Sequence, residues 1–167
     1  GNAGKLARWD GSMWTELPTS STSKLNSVAF VTGSIAFVAG ERTTLLTVRP
    51  ATNSVTPVAL SGGGNVNLVS VSGRSEAEVL VAGDDGSWWR ARGGTWANGA
   101  LPGANGPYAI TAAYMDESLR ERVVGTCGNA DDQCVAYRFA SGGTPSWTVQ
   151  TRASSFGLTS VGGAFDI

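Results

Sequence analysis

An all-β fold of small sheets arranged in a ring is what this sequence predicts, and three observations predict it. The first is a repeat. Leu25-Asn-Ser-Val28 returns as Leu68-Val-Ser-Val71, Ile110-Thr-Ala-Ala113 and Leu158-Thr-Ser-Val161. Leu25, Leu68 and Ile110 stand 43 and 42 residues apart, and Gly40, Gly83 and Gly125 keep the same two steps. A fixed period in the forties is the sign of a propeller-type array, in which each unit is a small sheet unable to bury its faces alone. The second observation is an unbroken apolar run inside each copy: Ile35-Ala-Phe-Val-Ala39, Val79-Leu-Val-Ala82 and Val123-Val124. A strand without polar alternation is buried on both faces. Stacked sheets require that, whereas a two-layer sandwich leaves one face wet. The third is punctuation, with Asp10-Gly11, Asp84-Asp-Gly86 and Gly93-Gly94 at turns and Pro18 and Pro102 closing outer strands. Such turns need left-handed residues, and proline cannot donate to a ladder.

Residues 1–18 read as the last two strands of a repeat. Lys5-Leu-Ala-Arg-Trp9 matches Thr44-Leu-Leu-Thr-Val48, Asp10-Gly11 turns the chain, and Met13-Trp-Thr-Glu-Leu17 forms the outer strand. A Ser/Thr linker, 19–24, leads to the first whole unit, 25–60, with strands at 25–31, 35–39, 44–48 and near 55–60. Gly62-Gly-Gly64 opens the second unit, 66–101, with strands at 68–72, 78–82, 87–91 and 95–101. The third, 108–151, carries two insertions, a cysteine loop and Ser141-Gly-Gly-Thr-Pro145, before its outer strand at 147–151. The fourth offers 156–161 and 162–167. Joined on paper to Gly1, Ala164-Phe-Asp-Ile167 runs into the N-terminal strands as Ala36-Phe-Val-Ala39 runs into Thr44-Leu-Leu-Thr-Val48. The expectation is therefore a single domain, 1–167, a β-propeller-like ring of four blades of about 42 residues each. Its last blade, 156–167 plus 1–18, is closed by the N- and C-terminal strands, which removes open edges.

Composition narrows the function. Of 167 residues only 15% are charged while 41% are hydrophobic, and glycine is plentiful at 23. Low charge with many Gly, Ser, Thr and Val is the composition of a secreted all-β protein, so an extracellular or periplasmic location is expected. A net charge of −1 supplies no field for phosphate backbones or anionic lipids, and no nucleic-acid partner is expected. No run approaches the ~18 apolar residues of a membrane-spanning helix. A chain that starts at Gly1 without Met is expected to be a processed form or a fragment. Cys127 and Cys134 flank a polar loop at the base of one hairpin, where a disulfide can form in an oxidising compartment. Free thiols or half a metal site is the competing reading. With no histidine and two cysteines a closed zinc site cannot be assembled, and no metal or other cofactor is expected.

The unit Leu-x-Ser-Val, Val-Ala-Gly, an apolar strand, then Asp-Gly-x-x-Trp-Thr-x-Leu-Pro resembles the repeats of the photosystem II assembly/stability factor family. It is also similar to secreted bacterial propellers with Asp-box (sialidase-type) turns. Leu25, Ser27, Val28, Ala39, Gly40, Asp10, Gly11, Trp14, Leu17 and Pro18 carry the resemblance, with partial matches at Gly83, Trp96, Leu101, Pro102 and Trp147. It implies a propeller, and most such relatives bind proteins or act as scaffolds. Three departures stand out: such arrays usually have more blades, no copy holds a complete Asp box, and Thr43-Thr44 replaces the expected Gly-Thr.

Trp14, Trp96 and Trp147 recur at the start of the outer strand and read as blade packing. Trp88 and Trp89 do not recur, and adjacent strand residues point to opposite faces. Beside Arg90, Arg92, Asp84 and Asp85, one ring could stack on a sugar or a partner's side chain, although burial between blades is the plainer reading. Asp84-Asp85, Asp116-Glu117 and Asp131-Asp132 read as solvated turn residues, since calcium needs roughly six oxygens or more from several segments. Arg8, Arg90 and Arg138 hold similar third-strand places and read as exposed, snorkelling side chains. Without histidine, Ser-His-Asp and Cys-His catalysis are excluded. The reading is a non-catalytic binding or scaffold module that meets a protein partner through its loops. Alternatives are a lectin-like propeller binding a surface glycan, with Trp88, Trp89, Asp84, Asp85 and Arg90 as candidate ligand residues, and a glycoside hydrolase-related fragment. Self-association into a larger ring also fits a unit with so few blades.

Overall fold

A computed structural model of the chain describes residues 1–101 and 110–115 with their side chains, and residues 121–125, 133–140 and 146–154 as strand backbone. Apart from two short 3-10 turns, the regular structure there is all β-strand. A hairpin of β1 (Leu6–Trp9) and β2 (Trp14–Leu17) comes first. Next come β3 (Leu25–Thr32), β4 (Ile35–Gly40), β5 (Thr44–Arg49) and β6 (Ser54–Pro57), a four-stranded antiparallel sheet in simple sequence order. The second sheet repeats this with β7 (Leu68–Ser75), β8 (Glu78–Gly83), β9 (Ser87–Arg92) and β10 (Thr95–Ala100). The third has β11 (Ile110–Met115), β12 (Glu121–Gly125), β13 (Gln133–Ala140) and β14 (Ser146–Ser154). The expected fourth unit at 156–167, and Cys127 of the expected disulfide, lie outside the described residues, while Cys134 pairs with Ala153 in the β13–β14 ladder.

The apolar second strands behave as their lack of alternation requires. In β4 and in β8 every residue after the first is buried. Phe37, Ala39 and Leu45 of the first sheet pack with Leu68, Val79, Val81 and Trp89 of the second. Leu80, Ala82 and Leu101 of the second unit pack with Ile110, Ala113 and Met115 of the third. On the other side of the first sheet, Ala36, Val38, Leu46 and Val48 meet Leu17 and Leu6 of the hairpin. Three apolar layers thus alternate with the sheets. At roughly 25 cal/mol per Å² of apolar surface removed from water, these layers are the main stabilising term.

Innermost strands of successive sheets also run side by side, joined by serine. Ser27 Oγ accepts the Val71 N–H at 3.2 Å, and Ser70 Oγ accepts the Ala113 N–H at 2.9 Å. Ser27 and Ser70 are the same position of the Leu-x-Ser-Val motif, so the motif records a bond between neighbouring units. Ser72 Oγ adds a third such bond from the Met115 N–H at 3.1 Å, and Asn26 Nδ2 donates to Leu68 O at 3.0 Å. An inner strand already paired to β4 or β8 along one edge has no ladder partner on the other, and hydroxyls reaching across meet that need.

Ser70 is 9% exposed, so Ser70→Ala strands a buried N–H and is expected to cost about 1–3 kcal/mol. Urea unfolding reads this directly. An unchanged midpoint would show that the hydroxyl does not join the two sheets.

Candidate functional site

Turns between the second and third strands meet the connections between units at one end of the molecule. In the first sheet this turn contains Arg42 and Thr43, at φ 54° and 55°. Consecutive left-handed residues without glycine are uncommon, and a β-branched residue there is strained by roughly 1–3 kcal/mol. Thr43 occupies the place where the repeat expects glycine. Its backbone N–H donates to Val66 O at 2.7 Å, and its hydroxyl accepts the Val66 N–H at 3.2 Å. The same hydroxyl lies 2.5 Å from Gly63 O and 2.8 Å from Gly64 O as donor. These bonds hold the strained turn against the 58–67 connection. Arg42 is held from the other side, with Nε donating to Ser23 Oγ and Nη2 to Thr22 Oγ1, both at 3.2 Å. Between these braces lies a recess of about 240 Å³, with Arg42, Ser20 and Ser21 at its polar wall and Leu45, Leu46 and Val58 in its apolar lining.

A second feature lies on the open flank of the first sheet. Here β1, β2 and the exposed face of β3 enclose an apolar groove of about 300 Å³, lined among others by Leu6, Trp9, Trp14, Val28 and Phe30. The Asp10 turn sets Trp9 opposite Trp14, their ring centroids 5.5 Å apart and tilted by 45°. Bonds from the Met13 and Ser12 N–H groups, and from the Ser12 hydroxyl, hold the Asp10 carboxyl down to about 2. Trp14 is 68% exposed and Phe30 64% exposed. The blade-packing role expected for Trp14 is therefore not met among the described residues, because no inner strands lie beside β1 to cover it.

No protein-family model and no curated protein matches the sequence. Solved structures do. The photosystem II assembly factor YCF48 bound to a D1 peptide superposes with a TM-score of 0.63 at 18% identity, covering 81% of this chain and 43% of that one. A chain from the S. cerevisiae assembly of Dbp5 bound to Nup159, Gle1, IP6 and ADP superposes with a TM-score of 0.54 at 15% identity, covering 83% of this chain and 40% of that one. The fold is that of a β-propeller. This chain spans less than half the length of either neighbour, and the sheets described above are propeller blades.

Within that propeller the candidate ligand residues scatter. Trp88 and Trp89 turn to opposite faces of β9. Trp89 is 1% exposed between the first and second blades, with Nε1 donating to Ser61 O at 2.9 Å. A Cβ on Gly63 would enter its ring, which is why the connection needs glycine there. Trp88 packs toward the third blade, over Gly99. Neither arrangement is a free sugar platform. Asp84 accepts from Asn67 Nδ2 at 2.9 Å, which ties the turn to the preceding connection, and Asp85 accepts the Ser87 N–H at 2.9 Å, which braces the turn itself. Among the described residues no three His, Cys, Asp or Glu side chains gather as metal ligands. Asp116, Glu117, Asp131 and Asp132 lie outside the described residues. Arg90, expected to snorkel, is instead 8% exposed, because blades cover its strand on both sides. Arg8 is half-buried and donates through Nη1 to Pro50 O, and the side chain of Arg138 is not among those described. Arg42 and the Val28–Phe30 face escaped the sequence reading. For Arg42 the available signal was the threonine at a glycine position.

Thr43→Val keeps the shape but loses the hydroxyl bonds, and is expected to destabilise by about 1–2 kcal/mol in urea unfolding. Thr43→Gly loses the same bonds but relieves the strain, so its midpoint should fall less. If both variants fall equally, the left-handed strain is not there. For Asp10, carboxyl NMR should show a titration midpoint about 2. Since the folded value is depressed, the turn's contribution is intact above the ordinary carboxylate range and is lost progressively as pH falls from that range through about 2.

Proposed function

We propose that the chain is a protein-binding propeller module that holds a short segment of a partner on its loop face, at the recess beside Arg42. The observation that carries this reading is the strained, cross-braced Arg42–Thr43 turn at the lip of a half-apolar recess. Strain of this kind is maintained where side-chain placement matters. Arg42 already donates to Thr22 and Ser23, which fixes the guanidinium before any partner arrives. Its remaining N–H groups suit a carboxylate, and the Leu45, Leu46 and Val58 surface suits an apolar side chain. The peptide bound by YCF48 supports the partner class, since that neighbour shares the fold. The module works by binding alone, a reading supported by the lack of histidine. Low charge and two cysteines favour an extracellular or periplasmic setting.

Panning a random peptide library on the immobilised chain tests this. Enriched peptides are expected to pair a carboxylate with a nearby apolar residue. Arg42→Ala should weaken them roughly tenfold, equivalent to ~1.4 kcal/mol, while keeping the β-sheet circular dichroism of the parent. No enrichment, or equal binding by R42A, would sink the reading.

A further inference from the structure

The first two blades share one plan but fill one space differently. The step of 43 residues from Leu25 to Leu68, kept from Gly40 to Gly83, sets Leu46 at the place of Trp89. By the same step Ser20 and Ser21 stand at the places of Gly63 and Gly64. The outer strands agree, since Leu46 pairs with Pro57 and Trp89 with Asn98. In the second blade an indole fills the space among these positions. Trp89 Nε1 donates to Ser61 O at 2.9 Å, and its ring lies so near the connection that a Cβ on Gly63 would enter it. Asn98 Nδ2 closes the far side by donating to the same carbonyl.

In the first blade the matching residues, Ser20, Ser21, Leu46 and Pro57, line the recess of about 240 Å³ beside Arg42. Leu46 packs with Leu17, Ala36 and Val38 and is too short to span to the connection as Trp89 does. The recess is therefore the space that the chain's own tryptophan takes one blade later. Its polar wall offers an indole N–H what Ser61 O offers Trp89, because serine hydroxyl oxygens accept as well as donate. Its charge favours an anionic occupant, since Arg42 alone is charged among the described residues that line it. Ser20 brings a Cβ where the second blade has glycine, so a guest ring enters from the solvent side and stands less deep than Trp89.

We propose that the apolar residue this recess takes from a partner is a tryptophan, whose indole occupies the seat that Trp89 fills in the second blade while a neighbouring carboxylate meets Arg42. The inference rests on the reading that the recess holds a partner segment, and it names the side chain. An aliphatic residue would leave part of the space unfilled, whereas an indole removes more apolar surface from water and carries the one donor that the serine wall can receive.

Backbone-amide NMR titration of the 167-residue chain with N-acetyl-tryptophan and N-acetyl-leucine, which carry the same carboxylate, tests it. Saturable shifts are expected at Ser21, Thr44, Leu45 and Val58, with the indole compound binding roughly tenfold tighter. Arg42→Ala should weaken both compounds. Ser20→Gly, which opens the wall as Gly63 does, should tighten N-acetyl-tryptophan and leave N-acetyl-leucine unchanged. Ser20 is exposed, so S20G keeps the β-sheet circular dichroism of the parent. Equal affinity for the two compounds, both lowered in R42A, overturns the tryptophan seat and leaves the proposed function standing. Shifts from neither compound, or an S20G chain that holds the indole no tighter, also overturn the seat, while the peptide panning decides the proposed function by itself.

Discussion

Burial of the middle strands on both faces is the constraint from which the rest of this structure follows. A sheet whose second strand reads Ile-Ala-Phe-Val-Ala has no side to offer water, so it must have a neighbour on each flank. Repetition supplies the neighbours, because an adjacent unit presents the same apolar faces. The layers between sheets are accordingly built from both partners, as where Trp89 of the second blade seats among Phe37, Ala39 and Leu45 of the first. A flank without a neighbour exposes apolar side chains, and among the described residues none covers Val28 and Phe30, which stand exposed.

Face-to-face packing leaves the inner edges unsolved, since each inner strand has a ladder on one side only. Serine meets this at low cost. It is small enough to sit between converging strands and offers an acceptor where a backbone N–H points across. Both copies of the motif serine whose neighbour is described act in this way. Ala112 takes the place in the third blade, so the hydroxyl link is missing from that copy of the motif. At the same end of these strands, where Leu25 pairs with Gly40 and Leu68 with Gly83, the turns and connections are tied by side chains such as Thr43, Asn67 and Asp84. Loops held this firmly can keep a strained residue, which an unsupported loop would relax.

Much of the fold was legible because strands and turns are local. The apolar run at 35–39 became β4, the Asp10-Gly11 pair became the β1–β2 turn, and β2 stops at Leu17, just before Pro18. The candidate site was far less legible. Trp88 and Trp89 drew attention as non-repeating aromatics, but their rings fill spaces between blades. Arg90 and Trp14 exchange the exposures that their types suggest: the arginine is covered and the tryptophan is bare.

The sequence by itself determined the period, the order of four antiparallel strands per unit, and the need for neighbours on both faces. Those properties reside in spacing and polarity within some forty residues. Only the tertiary structure decided which of the described side chains stand at the surface and where Thr43 is held left-handed. Exposure is a property of what stands next to a residue, and in a repeat array that neighbour is another unit, encoded some forty residues away in the chain.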